Sequence, residues 1–310
     1  MTPLELAAAA RRAAHGLGFA ACGITDLKPS ATRAALDAWL ERGLQGEMAY
    51  MARQAATRRG PQRVWPEARS IVVVLDNYYT GSRPDGAEFR VARYAQGEDY
   101  HRVMGERLGR LAAELVAVAG RGRTRIYVDA GPLPERELAM RAGLGWFGKN
   151  TMLIHPRLGS FTFIGTVLTD LDLAADAPFE SDRCGTCRRC LDACPTGAFP
   201  EPRVLDATRC ISYLTIEAKQ DIPAPLRAGV GDNLFGCDIC QDVCPWNEKF
   251  ARTTGEVRYL PSADAPFPSL EEILAMDEPA YEARFGFTAL ERAGLAGLKR
   301  NARVVIENRR

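Results

Sequence analysis

Apolar residues between positions 98 and 120 recur at alternating intervals of four and three, the spacing that places them on one face of an α-helix. The stripe consists of Met104, Leu108, Leu111, Leu115 and Val118. Gly120 follows directly, and glycine commonly ends a helix. The pattern therefore predicts an amphipathic helix that packs its apolar face on a core and ends at Gly120.

Three further segments carry the pattern of β-strands. Residues 70–79 (SIVVVLDNYY) form the continuous β-branched run of a buried strand, and residues 160–171 (SFTFIGTVLTDL) are rich in β-branched and aromatic side chains. Residues 123–131 (RTRIYVDAG) predict a strand that ends in a turn at Asp129. Residues 133–143 (LPERELAMRAG) predict a helix, so helices and strands alternate and the fold class is α/β (α+β).

The charge of the chain excludes a global attraction to nucleic acid, because 40 basic and 39 acidic side chains leave a net charge of +1 over 310 residues. An RNA partner must therefore meet a local basic patch.

No window approaches the ~18 apolar residues of a membrane span. Arg11 and Arg12 lie in a helical pattern that begins with the capping box TPLE. We therefore expect a folded helix rather than an export leader, no membrane partner and a cytoplasmic protein.

Eight of the nine cysteines lie between Cys184 and Cys244, a cluster that indicates metal binding in a reducing compartment. The first run is C-x2-C-x2-C-x3-C-P and ends at Cys194. The second consists of the isolated Cys210 and a later C-x2-C-x3-C-P that begins at Cys237. Tetrahedral zinc sites favour separated CxxC pairs, whereas the run observed here is typical of two-cluster ferredoxins.

In such ferredoxins the fourth cysteine of each run binds the other cluster. This rule predicts one [4Fe–4S] cluster on Cys184, Cys187, Cys190 and Cys244. It predicts the other on Cys194, Cys210, Cys237 and Cys240. A pair of structural zinc sites is the alternative.

The first 173 residues must contain the site that uses the electrons. They lack a G-x-G-x-x-G motif after a strand, so a Rossmann nucleotide site is not predicted. The segment DYHRVMG departs by one residue from the D-x-H-x-x-G pattern of a histidine-ligated cobalamin, and His101 is more simply a polar residue at a helix start.

Six motifs together resemble the epoxyqueuosine reductase family: YMAR, ARYAQGEDYH, VDAGPLPERELA, GLGWFGKNTMLI, CISYLTIEAK and GCDICQDVCPWN. The resemblance implies a cobalamin-binding domain of the reductive-dehalogenase/nitroreductase-like type at 1–175. It implies a ferredoxin-like module with two [4Fe–4S] clusters at 176–250, and a helical tail at 251–310 that is a shortened HEAT-like extension. The implied activity converts epoxyqueuosine to queuosine at the wobble position of tRNA, with base-off cobalamin reduced by an external low-potential donor.

The resemblance also implies roles for individual residues. Asp129 matches the family's proton donor, and a carboxylic acid serves in that role at neutral pH only if burial raises its pKa. The other residues expected at the cobalamin are Arg58, Met152, Leu153, His155, Ile164 and Ser212. Arg136 and Lys219 are candidates for binding the tRNA anticodon loop. From the residues alone, Asp129 before Gly-Pro is a turn aspartate, His155 is a polar loop residue, and Arg136 and Lys219 are surface charges.

Two alternatives remain at this point. A corrinoid reductive dehalogenase has the same pair of domains but normally carries a twin-arginine leader. A non-catalytic electron-transfer protein needs only the cysteine-rich region. We expect a monomer, because a large RNA substrate needs open access to a deep site. The order of the clusters and the choice between nucleophilic and radical attack are open.

Overall fold

The strands of the protein form one large and two small sheets in a computed structural model that describes residues 1–81, 87–262 and 266–310. The strands are β1 Ala21–Thr25, β2 Ser70–Asn77, β3 Arg90–Val91, β4 Thr124–Val128, β5 Trp146–Phe147, β6 Leu153–Ile154, β7 Thr162–Thr169 and β8 Asn233–Phe235. The four-stranded sheet has the order β1-β2-β7-β4 with antiparallel neighbours. Strands β5 and β6 form an antiparallel pair, and β3 and β8 a parallel one.

Helices surround the large sheet and make up most of the carboxyl-terminal part. Among the described residues they are α1 Pro3–Gly16, α2 Arg33–Glu41, α3 Ala49–Arg53, α4 Ala55–Arg59, α5 Tyr100–Ala119, α6 Glu135–Arg141, α7 Arg189–Asp192, α8 Ile211–Ile216, α9 Ala224–Val230, α10 Ile239–Asp242, α11 Pro245–Phe250, α12 Leu270–Ala275, α13 Glu278–Phe285 and α14 Gly294–Arg309. Helix α1 begins with the expected capping box of Thr2 and Glu5. No helix of this described part combines the length and the apolar composition that crossing a membrane requires. The mixed α/β class is thus confirmed.

Strand β2 is buried on both faces, as its continuous apolar run predicts. Val72 and Val74 pack with α1 and α5, whereas Ile71, Val73 and Leu75 pack with α6 on the opposite face. Such a run is common in parallel sheets. Here the neighbours are antiparallel, and the cover of helices on both faces accounts for the pattern.

Helix α5 follows the predicted stripe except at its last member. Asp99 caps its first turn, and Gly120 ends it with a φ of 67°. Val118 was expected in the core but is 51 % exposed, while Ala119 packs against the core instead. Residues seven positions apart differ by about 20° in direction around a straight helix. Two heptads after Met104, the side of the helix that faces the core is therefore occupied by Ala119 rather than by Val118.

The cysteine-rich region is joined to the amino-terminal part by backbone pairing and a buried ion pair. Strand β8 pairs with β3, and Arg93, just after β3, is 4 % exposed. Arg93 Nη1 lies 3.2 Å from an oxygen of Asp238 and 2.6 Å from one of Asp242. The Arg93 guanidinium also lies 5.2 Å from the ring centre of Tyr79, just after β2, so these contacts attach the loop around Cys237 to the end of the large sheet.

The carboxyl-terminal tail is helical and packs on β8, since Leu234 and Phe235 share an apolar cluster with α12, α13 and α14. A preceding segment crosses the large sheet, where the Tyr259 hydroxyl donates a 2.7 Å hydrogen bond to Asp76 Oδ2. Arg107 binds the same carboxylate. Burial nevertheless raises the pKa of Asp76.

Candidate functional site

Asp129 directly follows β4 in the chain and lies beside the first turn of α5 in space. Val128 still pairs with Gly165 of β7, and Asp129 then takes a φ of 53°, a left-handed conformation that aspartate adopts more readily than most residues. The Tyr100 hydroxyl donates a hydrogen bond of 2.5 Å to Asp129 Oδ2. His101 Nε2 lies 3.9 Å from the same oxygen. The first turn of α5 therefore orients this carboxyl group.

Asp129 is not the buried acid that its expected role requires, because its side chain is 67 % exposed. The expectation of burial is wrong for this residue, since the end of an edge strand leaves one side of the turn open. A neighbouring carboxyl group is more enclosed: Glu135, whose Oε1 accepts a 3.0 Å hydrogen bond from the Asp129 N–H. Burial, and next the charge of Asp129, raise the pKa of Glu135 to about 8.

Glu135 was missed by the sequence analysis, although it stands in the motif VDAGPLPERELA. A glutamate in the first turn of a helix is ordinary, so its spacing alone did not mark it. Arg136 beside it retains exposed surface, yet burial also lowers its pKa. Asp129, Glu135 and Arg136 line what we call the Asp129 cleft, where side chains stay accessible although many protein atoms surround them.

Arg58 supports the loop that follows Asp129. Its guanidinium donates to the carbonyl oxygens of Leu133 at 2.9 Å and Gly131 at 3.3 Å, and to Gln54 Oε1 at 2.9 Å. Its Nε is buried and has no hydrogen-bond partner within the described residues. The same is true of Thr162 Oγ1 in the described part of the chain. Buried polar atoms of this kind can take a polar ligand as their hydrogen-bond partner.

Arg136 also holds the segment that contains Met152. Arg136 Nη1 donates a 2.7 Å hydrogen bond to the carbonyl of Thr151, whose φ of 67° is strained for a β-branched residue. The Met152 N–H donates to Asn150 Oδ1 and its carbonyl accepts from Gly148. The backbone of Met152 is thus already paired, which leaves its side chain and a carbonyl lone pair for a ligand.

The remaining predicted cofactor residues in this region differ in exposure. Leu153 is 3 % exposed and pairs with Phe147 in the small sheet, while Ile164 is half-buried on β7. His155 is 9 % exposed, and its Nδ1 accepts the N–H of Arg157 at 3.1 Å. Burial and the charge of Arg157 lower the pKa of His155 to about 4, so it is neutral at pH 7.

Ser212 and Lys219 both lie in the first half of the insert that follows Cys210. The Ser212 N–H and hydroxyl bind the Cys210 thiol, so this serine lies beside one of the clustered cysteines. The Lys219 N–H donates to Glu47 Oε2 at 3.0 Å, and its Nζ donates to the carbonyl of Arg292 at 3.3 Å.

Arg292, from the tail, was not expected at this site. It forms a two-bond ion pair with Glu217, at 3.0 and 2.8 Å, and its guanidinium lies 6.0 Å from the ring centre of Tyr50. Burial is the main cause of the raised pKa of Tyr50, and the hydrogen bond to Glu217 is that of Arg292; the negative charge of Asp129 adds to both. Tyr50, Glu217 and Arg292 therefore border the cleft of Asp129. Tyr50 and Glu217 stand in the motifs YMAR and CISYLTIEAK, whereas none of the six motifs contains Arg292.

One group of thiols surrounds a cavity. Its cysteine members are those expected at the first cluster: Cys184, Cys187, Cys190 and Cys244. Burial, followed by the charges of the other three thiols, raises the pKa of Cys190 to about 11. Trp146 Nε1 donates a 3.5 Å hydrogen bond to Cys184 Sγ.

The other four thiols form a second group: Cys194, Cys210, Cys237 and Cys240. Burial is the largest cause of the raised pKa of Cys237, to about 12, and Cys210 and Cys194 add to it. The charge of Cys190 reaches Cys240, so the two groups adjoin. Bound metal deprotonates thiols outright, and these donor sets fit that chemistry.

The thiols surround a volume rather than one point. In residues 1–81, 87–262 and 266–310, no three His, Cys, Asp or Glu side chains converge closely enough for a single metal ion.

Two family models match the chain. Residues 183–247 match "4Fe-4S double cluster binding domain", which includes all eight clustered cysteines. Residues 58–130 match "Epoxyqueuosine reductase QueG, DUF1730" and include both Arg58 and Asp129. The prediction of an iron–sulfur module, rather than structural zinc, is thereby confirmed. The thiols that bind each cluster stay a prediction.

Curated relatives decide the family. The epoxyqueuosine reductase of Cyclobacterium marinum is 40% identical over 300 residues, which cover 95% of this chain and 95% of the relative. That of Pseudomonas aeruginosa is 40% identical and covers 99% of this chain and 86% of the relative. The chain belongs to the epoxyqueuosine reductase family. This membership confirms the resemblance and the prediction of an oxidoreductase, and it removes the non-catalytic alternative.

Solved epoxyqueuosine reductases share the fold. One, solved with an epoxyqueuosine-modified tRNA-Tyr stem loop, is 29% identical with a TM-score of 0.88. Another, from Bacillus subtilis, has an aspartate-bearing catalytic loop swung out of its active site and a TM-score of 0.87 at 29% identity. Each alignment covers 99% of this chain and 82% of the solved epoxyqueuosine reductase.

Proposed function

We propose that this chain reduces the epoxide of epoxyqueuosine to queuosine at the wobble position of tRNA, the last step of that modification. The observation that carries the proposal is the meeting of Asp129, Glu135, Arg58 and Arg136 at the end of β4, in a chain with two groups of four thiols. Relatives named epoxyqueuosine reductase span nearly all of the chain, so they align with both parts.

The proposed role of Asp129 is to supply a proton. Loss of the epoxide oxygen as water leaves an alkene and consumes electrons and protons in equal number. Opening of the ring creates an alkoxide, which a positioned acid must protonate. The exposure of Asp129 lets a substrate reach the carboxyl, and the bound substrate would then supply the burial that the role requires. The Tyr100 hydroxyl orients the carboxyl, and Glu135, neutral at pH 7, adds no second negative charge.

Cobalamin, bound base-off, is the proposed cofactor. The unpaired Arg58 Nε and Thr162 Oγ1 fit the amide-bearing edge of a corrin ring, because each leaves a buried polar atom to satisfy. The residues expected to hold it are Arg58, Asp129, Met152, Leu153, His155, Ile164 and Ser212. When bound, cobalamin would supply a strongly reducing cobalt centre for opening the epoxide.

The proposed tRNA contacts are cations and rings at the rim of the same cleft. Arg136 remains exposed, and Lys219 lies beside Arg292 and Tyr50. Proteins bind unstacked RNA bases with aromatic or guanidinium planes and bind phosphates with cations. This rim offers both to an anticodon loop.

The proposed route of electrons runs through the two thiol groups, each holding one [4Fe–4S] cluster, from an external low-potential donor. We assign residues 1–175 to cobalamin binding, 176–250 to the clusters and 251–310 to a helical tail. Because tRNA is the substrate, we propose a cytoplasmic monomer.

Anaerobic turnover tests the proposal. Reconstituted protein, cobalamin, a low-potential reductant and tRNA bearing epoxyqueuosine are combined, and digested nucleosides are read by mass spectrometry. We expect Asp129→Asn to lower the rate about 10²- to 10⁴-fold, the usual range for loss of general acid catalysis. Asp172→Asn, at an exposed aspartate, is the matched control and should turn over normally.

Two results would contradict parts of this scheme. Normal turnover by Asp129→Asn would remove its role as proton donor. No turnover by the unaltered protein, with clusters and cobalamin both in place, would refute the substrate, and small halogenated or epoxidised compounds would then be tried.

A further inference from the structure

The cavity of the first thiol group opens on a surface that the proposed reaction does not use. Residues around Cys184 and Cys187 are exposed, among them Arg183, Thr186 and Arg188. The second group lies toward the catalytic cleft, since Tyr94 meets Tyr100, the hydrogen-bond partner of Asp129, edge-on at 5.9 Å, and the N–H of the adjacent Arg93 donates to Asp238, the neighbour of Cys237. An electron arriving from outside therefore meets the first group before the second.

Unneutralised arginines border this opening. Asp182 binds Arg203 at 2.6 Å and Glu248 binds Arg189, while the charge of the exposed Glu180 is offset by Lys149, whose Nζ donates to the carbonyl oxygens of Gly185 and Cys187. Arg183 forms no ion pair with any residue that the structure describes, and Arg188 has only a 3.6 Å contact with Asp192, in which both side chains are more than 60 % exposed. The surface thus carries local positive charge although the whole chain is nearly neutral.

Aromatic side chains lie between these arginines and the thiols. Trp246 is half-buried, stacks on Phe250 at 5.5 Å and meets Trp146 edge-on at 4.9 Å. Arg183 lies 5.1 Å from the ring centre of Phe179. Arginine and aromatic residues are enriched where proteins dock.

We propose that the face formed by Phe179, Arg183, Arg188, Trp246 and Phe250 docks an acidic one-electron donor protein. One electron leaves the reduced donor and enters the cluster held by the first thiol group, and no bond or proton moves. A protein is favoured over RNA because the face lies over a redox site, while the Asp129 cleft has its own cationic rim. The inference rests on the proposed function only in that the clusters accept electrons.

The test measures reduction of the reconstituted, cluster-loaded protein by a reduced [2Fe–2S] ferredoxin of net negative charge, in anaerobic stopped flow, without cobalamin or tRNA. We expect the double variant Arg183→Glu/Arg188→Glu to lower the second-order rate constant about tenfold or more at low salt, within the range of electrostatic steering. The difference should shrink as salt rises. Arg183→Lys/Arg188→Lys keeps the charge and should keep the rate.

Two controls locate the effect. Reduction by dithionite should be unchanged in the Glu variant, which shows intact clusters. Arg12→Glu, at an exposed position of α1, should not slow the ferredoxin. An unchanged rate in the Glu variant, or an equal loss in Arg12→Glu, overturns the proposal. The proposal is also overturned if ferredoxin reduces the Glu variant at the normal rate but the variant binds a tRNA stem loop more weakly, because the face would then bind RNA. Failure of epoxyqueuosine turnover leaves this measurement intact, so the two proposals fail separately.

Discussion

Replacing Glu135 with glutamine tests whether a neutral acid stands beside Asp129. Glu135 Oε1 accepts the Asp129 N–H, and a glutamine can accept the same hydrogen bond without a charge. Burial and the charge of Asp129 raise the pKa of Glu135 from its ordinary value of 4.5 to about 8. Between these values the folded protein keeps a proton that the unfolded chain releases, so rising pH favours unfolding. Glu135→Gln cannot titrate, so its free energy of unfolding lacks this pH-dependent contribution.

The size of the effect follows from the shift. Each pKa unit corresponds to about 1.4 kcal/mol, so the wild-type protein should lose about 4 kcal/mol relative to Glu135→Gln between pH 5 and pH 8. Below pH 4.5 the contribution is fully present, and above about 8 the loss is complete. Residual accessibility of the carboxyl makes this an upper value.

The measurement is anaerobic urea unfolding of both proteins at several pH values from 5 to 8, followed by tryptophan fluorescence. The difference between the proteins cancels other titrating groups. Glu114→Gln, at an exposed position of α5, shows what the same exchange does at the surface. A constant difference between wild type and Glu135→Gln across this range would refute the reasoning, because Glu135 would then be ionised in the folded protein.

Two further predictions concern the thiol groups. Trp146→Phe removes an N–H that stabilises the more negative, reduced cluster, so the midpoint potential should fall in a redox titration followed by EPR. The Trp246 N–H donates to a carbonyl oxygen and not to a thiol, so Trp246→Phe should shift the midpoint potential less. Equal shifts in the two variants would contradict the role given to the Trp146 N–H. Cys244→Ser and Cys194→Ser should each lose about half of the bound iron, and each should lose a different one of the two EPR signals. Loss of the same signal in both would refute the crossed ligand sets.

The local features of this protein followed from its sequence. Thiolates that bind one cluster must lie close together, so cysteine spacing indicated the iron–sulfur module without knowledge of the fold. The run at 70–79 indicated a strand covered on both faces, and the capping box of Thr2 and Glu5 indicated the start of α1. In each case the interactions join residues that are near in the chain.

Only the tertiary structure decided the character of the site. The exposure of Asp129 and the raised pKa of Glu135 depend on how the end of β4 meets α5 and α6, and Arg292 reaches the cleft from 163 positions beyond Asp129. The grouping of Cys244 with Cys184 likewise depends on how α10 packs against α7. Burial and charge act through space, so contacts between distant segments, which no local pattern encodes, determine them.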